Sequence, residues 1–125
     1  MCLTKITKTI KKPTNKIASA IGCFYYNETD LLFPFNWYIF GTKVPIGRWI
    51  KAIQGQLYAD NGKAYIAGFH KYKVGQLARI KKEFPNTVQI PVKLRKIKYH
   101  GKQRGFSVLV AQEMFISENW RQQIV

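Results

Sequence analysis

The chain has 125 residues, 46% of them hydrophobic and 14% aromatic, which gives room for one domain with a modest core and excludes a disordered polymer. Its 21 Lys and Arg against 6 Asp and Glu leave a formal charge of +15. So large an excess favours nucleic acid, a nucleotide, an acidic protein or an anionic membrane as partner, with a basic surface kept for solubility as the alternative.

Cys2 and Cys23 build no disulfide framework, and no Cys or His spacing of zinc-ligand type is present, so no metal or cofactor is expected. The lysines near the N-terminus are not followed by an apolar run and a cleavage site of the secretory kind. The most apolar stretch, residues 31–40, holds Pro34 and Asn36 and is too short to cross a bilayer. A soluble protein of a reducing, cytoplasmic compartment follows from these features.

In chain order, residues 1–16 spread Lys5, Lys8, Lys11, Lys12 and Lys16 among threonines and isoleucines. They form a basic N-terminal arm, either disordered or an edge strand whose lysines discourage edge-to-edge pairing. Residues 17–125 form a single α+β domain. Its first firm strand is residues 17–26, and Asn27 to Asp30 make a polar turn. Residues 31–40 pack Phe33, Phe35, Trp37, Tyr38 and Phe40 into one segment, as core or as stacking platforms for bases. A short strand spans residues 48–53. In it Arg48 and Lys51 cannot share a face under strict alternation, so no basic stripe is assigned there. Asn61-Gly62 signals a hairpin turn, and residues 64–70 form the strand beyond it. Residues 74–84 carry Leu77, Ile80 and Phe84 at helical spacing, with Gly75 weakening the first turn, no good side-chain cap, and Pro85 ending the helix.

Residues 87–116 dominate the pattern. Val88, Ile90, Val92 and Leu94 alternate with Gln89, Pro91, Lys93 and Arg95, the period of a half-buried strand. Ile97 and Tyr99 continue one position late, which predicts a β-bulge at Arg95-Lys96. That slip would let Lys93, Arg95, Lys96, Lys98 and His100 project from one face. Gly101 to Gly105 make the turn, and residues 106–116, apolar on both faces over 108–111, read as a central strand. The fold expected is α+β: a mostly antiparallel twisted sheet with a long basic C-terminal hairpin and one short helix.

The opening Met1-Cys2-Leu3, the segment from Gly47 to Ala52, the Gly68-Phe69-His70-Lys71-Tyr72 motif and the strand over 108–116 together resemble small phage and prophage proteins that begin Met-Cys-Leu and carry Gly-Phe-His before a helix. The resemblance is scattered over most of the chain and brings no catalytic residues with it. It implies an accessory role, in the cytoplasm of a host cell, in countering host defence.

From the residues themselves, phosphate binding is assigned to Lys93, Arg95, Lys96, Lys98, Lys102 and Arg104, and base stacking to Tyr99 or Trp49. Glu113, an acid inside a central strand, is expected to pair with Arg95 or another cation of the stripe, a structural role set against catalysis. The enzyme alternative rests on Cys2, exposed by removal of Met1 and activated by its own amine or by His70. No phosphate-loop or dinucleotide motif is present. Three functions are therefore carried forward: a non-enzymatic binder of nucleic acid or nucleotide, an inhibitor of an acidic host protein, and an N-terminal-cysteine enzyme.

Overall fold

Antiparallel ladders account for every strand pairing in the computed structural model, which describes residues 3–33 and 43–124. In order these residues form β1 (Lys5–Thr9), β2 (Ala18–Tyr26), β3 (Leu31–Leu32), β4 (Trp49–Lys51), β5 (Gln56–Tyr58), β6 (Ala64–Ile66), β7 (Phe69–Tyr72), α1 (Leu77–Glu83), β8 (Val88–Gln103), β9 (Phe106–Phe115) and a closing 3-10 turn, Trp120–Gln123. The protein is thus a mostly antiparallel α+β fold with a long C-terminal hairpin and one short helix. β5 and β6 form a separate two-stranded hairpin around the Asn61-Gly62 turn.

β8 is the strand that the others share. On one edge it pairs with β2 through residues 88–94 and then with β1 through residues 99–102. On its other edge it pairs with β9 from Lys93 to Gln103. β9 carries β7 and then β4 along its far side, and β7 meets β2 at Ile21 and Tyr72. The ladders β8–β2–β7–β9 therefore close on themselves, which leaves β9 paired on both edges, as its doubly apolar sequence requires.

Alternation along these strands feeds two cores. One gathers Ala20, Phe24, Phe69, Ile90, Val92, Leu94, Leu109, Ala111 and Met114, with Phe33 and Trp120 packed in. The other gathers Ile21, Cys23, Tyr72, Tyr99, Val108 and Val110 beneath Leu3, Tyr65 of β6 and Ile80 of α1. Phe33 is the one ring of the 31–40 cluster whose burial is described; Phe35, Trp37, Tyr38 and Phe40 lie outside the described residues.

Several boundaries differ from the sequence expectation, each for a local reason. Residues 5–9 of the basic arm form the edge strand β1 and are not disordered, because Gly101 lets the backbones close up: a Cβ there would sit 2.7 Å from the Lys5 carbonyl oxygen. The same glycine stands inside β8, so the turn shrinks to Arg104 (φ 51°) and Gly105 (φ 81°), two left-handed residues as a type I′ hairpin demands. The expected strand over residues 64–70 is divided between β6 and β7, which belong to different sheets. The helix starts only at Leu77, since Gly75 has φ +95°. In place of a side-chain cap, Gln76 accepts from Ser107 N–H and donates to the Ser107 and Lys73 carbonyls, tying the helix to β9.

The phase slip in β8 is spread over more residues than a single bulge at Arg95-Lys96. Leu94 and Ile97, three apart, both pack on the first core, and Lys96 between them has φ 57°. The register with β9 then shifts between Ile97 and Tyr99, so Lys98 is the additional residue.

Candidate nucleic-acid interface

Cross-strand partners share a face of the sheet, so the register locates each basic side chain. The row Ile50, Met114 and Leu94 of β4, β9 and β8 points into the first core. The rows on either side of it must point the other way. One is Trp49, Phe115 and Lys93; the other is Lys51, Glu113 and Arg95. This six-residue tile is an aromatic and basic surface with a single acid at its centre. Lys51 and Lys93 are exposed, Trp49, Phe115 and Arg95 are half-buried, and only Glu113 is buried, at 4% accessibility.

Glu113 organises the tile. Arg95 Nε donates to its Oε1 at 2.5 Å, and Lys96 Nζ lies 2.9 Å from Oε2. Burial raises the carboxyl's pKa, but the hydrogen bonds and charges of Lys96 and Arg95 outweigh it and hold the group below the usual carboxylate range. From Glu113 the Arg95 side chain reaches across β9 to β4, where its guanidinium lies 4.1 Å from the centre of the Trp49 ring. Phe115 supports Trp49 from the side, with centroids 5.6 Å apart. Planarity and weak hydration suit arginine to this stack, whereas lysine would offer only a point charge.

The six cations assigned to phosphate do not line one face. Lys93 and Arg95 lie on the tile with Trp49, and Lys96 joins them through Glu113. Beyond the slip, Lys102 stands opposite Ser107 and Lys5, and His100 opposite Leu109 and Lys8, on the other face of the hairpin. Lys102 Nζ donates to Ser107 Oγ at 2.7 Å. Partial burial and then the charges of Lys73 and Lys8 hold the His100 imidazole below its ordinary pKa. Lys98 is half-buried, while Arg104 is exposed at the hairpin tip. Two basic surfaces result, and among the described residues the tile is the one that carries half-buried aromatic rings, Trp49 and Phe115. A groove of about 330 Å³ runs beside the second surface, between residues 10–18 and the stretch from Ile97 to His100.

Tyr99 is not available to a base. It is 7% exposed, its hydroxyl accepts from Ile66 N–H, and its ring meets Tyr65 edge-on. The same slip that moved the cations turned Tyr99 into the second core. Lys51 and Phe115, by contrast, were not assigned from sequence. Their place on the tile depends on cross-strand register, which no local pattern prints.

His70 is engaged in a buried network. Its Nδ1 lies 3.0 Å from the Gly68 carbonyl oxygen, an acceptor, so Nδ1 carries the proton. Nε2 then accepts from the Tyr65 hydroxyl at 2.9 Å, and that oxygen accepts from Leu3 N–H at 3.0 Å. Burial lowers the His70 pKa to about 4, and a neutral ring with both nitrogens bonded ties the Leu3 backbone, through Tyr65, to β7. Cys2 lies outside the described residues. Cys23 is buried against Gln89, and burial pushes its thiol up, which suits packing and not nucleophilic attack. Lys71, 8% exposed, rests its ammonium 4.6 Å from the Phe24 ring centre, and burial brings its pKa down to about 8.

Among the described residues no group of three or more His, Cys, Asp and Glu is placed to hold a metal ion, and no helix is long and apolar enough to cross a membrane. Comparison of the chain with protein-family models, with curated proteins and with solved structures finds no match.

Proposed function

We propose that the protein is a non-enzymatic nucleic-acid binder whose contact surface is the tile on β4, β9 and β8. The observation that carries this reading is the convergence of Lys51, Lys93, Arg95 and Lys96 with Trp49 and Phe115 on one accessible face of a chain charged +15. Cations attract and position phosphates, and aromatic and guanidinium planes receive bases. The second basic surface, around Lys102, Lys5, Lys8 and Arg104, extends the attraction without a stacking platform. The setting we infer from the resemblance is that of a phage accessory protein acting against host defence in the host cytoplasm.

The test is a salt titration. If Lys51, Lys93 and Lys96 each meet a phosphate, log K falls with log salt at a slope of about −2.7 on duplex DNA, or about −2.1 on a single strand. Lys93→Glu lowers affinity for every sequence alike and flattens the slope by about one contact. Equal affinity and slope for the variant and the wild type overturn the assignment. Saturation by one nucleotide with little salt dependence points to a nucleotide ligand. Capture of an acidic host protein after nuclease treatment points to the inhibitor.

A further inference from the structure

Arg95 is placed as no simple phosphate clamp would be. Its Nε is committed to Glu113, an acid 4% exposed, and its guanidinium carbon lies over the half-buried Trp49 ring, 4.1 Å from the ring centre. Two contacts, the hydrogen bond to Glu113 and the Trp49 ring, restrict where the group can sit. Yet 30% of the side chain remains accessible. The Glu113 charge, shared with Lys96, offsets much of what Arg95 would offer a phosphate. What is left exposed is a planar, delocalised surface on a rigid floor of three strands, with Lys93 beside it on β8 and Lys51 on β4.

We propose that the Trp49–Arg95 stack is a base-stacking platform, so that the ligand of the tile is single-stranded nucleic acid. An unpaired base lies on the exposed side of the Arg95 guanidinium, continuing the stack that begins with Trp49, while Lys93 meets a flanking phosphate. Bases inside a duplex are stacked on one another and present no free plane, so the platform discriminates by strandedness and not by sequence. Phe115 holds Trp49 and Glu113 holds Arg95; both are positioning residues. The inference rests on the proposed function and narrows its ligand.

The experiment measures fluorescence anisotropy of the intact protein with three labelled probes: a single strand, the duplex of the same sequence, and an abasic single strand of the same length. Stacking predicts that the single strand binds more tightly than the abasic strand by about 5- to 150-fold, and more tightly than the duplex at equal salt. Arg95→Lys keeps the charge and loses the plane. It should reduce the preference for the single strand over both the abasic strand and the duplex. The abasic probe uses the wild-type protein, so it decides the question even where the variant folds poorly. Equal binding of all three probes overturns the platform and leaves a phosphate-binding tile standing. Failure of every probe to bind at low salt overturns both.

Discussion

Replacing Glu113 with Gln tests the centre of the tile. The carboxylate receives two charge-assisted hydrogen bonds, from Arg95 Nε at 2.5 Å and Lys96 Nζ at 2.9 Å. Such bonds contribute about 1.5–3 kcal/mol each. The amide keeps one acceptor oxygen but turns an N–H₂ donor towards a cation. Both partners are partly solvated, at 30% and 43% side-chain exposure, which reduces the loss. About 2 kcal/mol of destabilisation is expected at pH 7, or about 6–10 °C in Tm for a domain of this size. Urea unfolding should show a lower midpoint with an unchanged slope. The pH dependence supplies a second check. The Glu113 pKa is depressed in the folded protein, so its stabilisation is fully present above the unfolded value of about 4.3 and is lost as pH falls through the folded pKa. Wild type and variant should therefore converge in acid. A difference at pH 7 below about 0.5 kcal/mol, within the range of ordinary surface changes, would refute the argument, as would a gap that does not shrink as the pH falls.

Three further outcomes follow from the buried polar groups and the strand crossing. His70 titrates at about 4 when folded and near 6.5 when unfolded, so the unfolded chain binds the extra proton between those values and stability falls as pH drops, by at most about 1.4 kcal/mol per unit; His70→Asn should lose that slope in urea titrations from pH 7 to pH 5. Lys71 has no carboxylate among its described contacts, so Lys71→Met, which can lie on the Phe24 ring, should stabilise the protein by about 1–3 kcal/mol at pH 7 in thermal melts; a loss of stability would show that the ammonium is compensated. Gly101→Ala would drive a methyl against the Lys5 carbonyl oxygen, and hydrogen exchange should report β1 amides losing protection while β9 amides keep theirs.

The hairpin was legible because its signals are local: alternation over residues 88–94, a glycine-marked turn, and a return strand apolar on both faces. The ion pair between Arg95 and Glu113 was legible as well, since a buried acid in a central strand needs a cation. What escaped was everything set by register. Alternation alone left Lys51 without a stripe, yet antiparallel pairing with β9 puts it beside Glu113. One bulge was expected where two irregularities occur, at Lys96 and at Lys98. A one-residue slip exchanges the two faces of a strand, and so Tyr99 went to the core and Lys102 to the surface opposite Lys93. The sequence leaves residues 5–9 open between a disordered arm and an edge strand, because the partner of β1 lies about 95 residues along the chain, as in the pairing of Lys5 with Lys102.

That separation sets the order in which the protein can be made. β1 and β2 are synthesised first, but the strand that pairs with both is β8, which ends only at Gln103. At about 5–20 residues per second, translation from Tyr26 to Gln103 leaves these two strands without their main partner for some seconds. During that interval the apolar face of β2 is exposed on the nascent chain, with Lys5, Lys8, Lys11, Lys12 and Lys16 just ahead of it. Mutual repulsion among such segments on neighbouring chains opposes premature strand pairing between them. The five lysines thus carry the like charge that opposes such pairing, and residues 5–9 become an edge of the sheet only once β8 arrives.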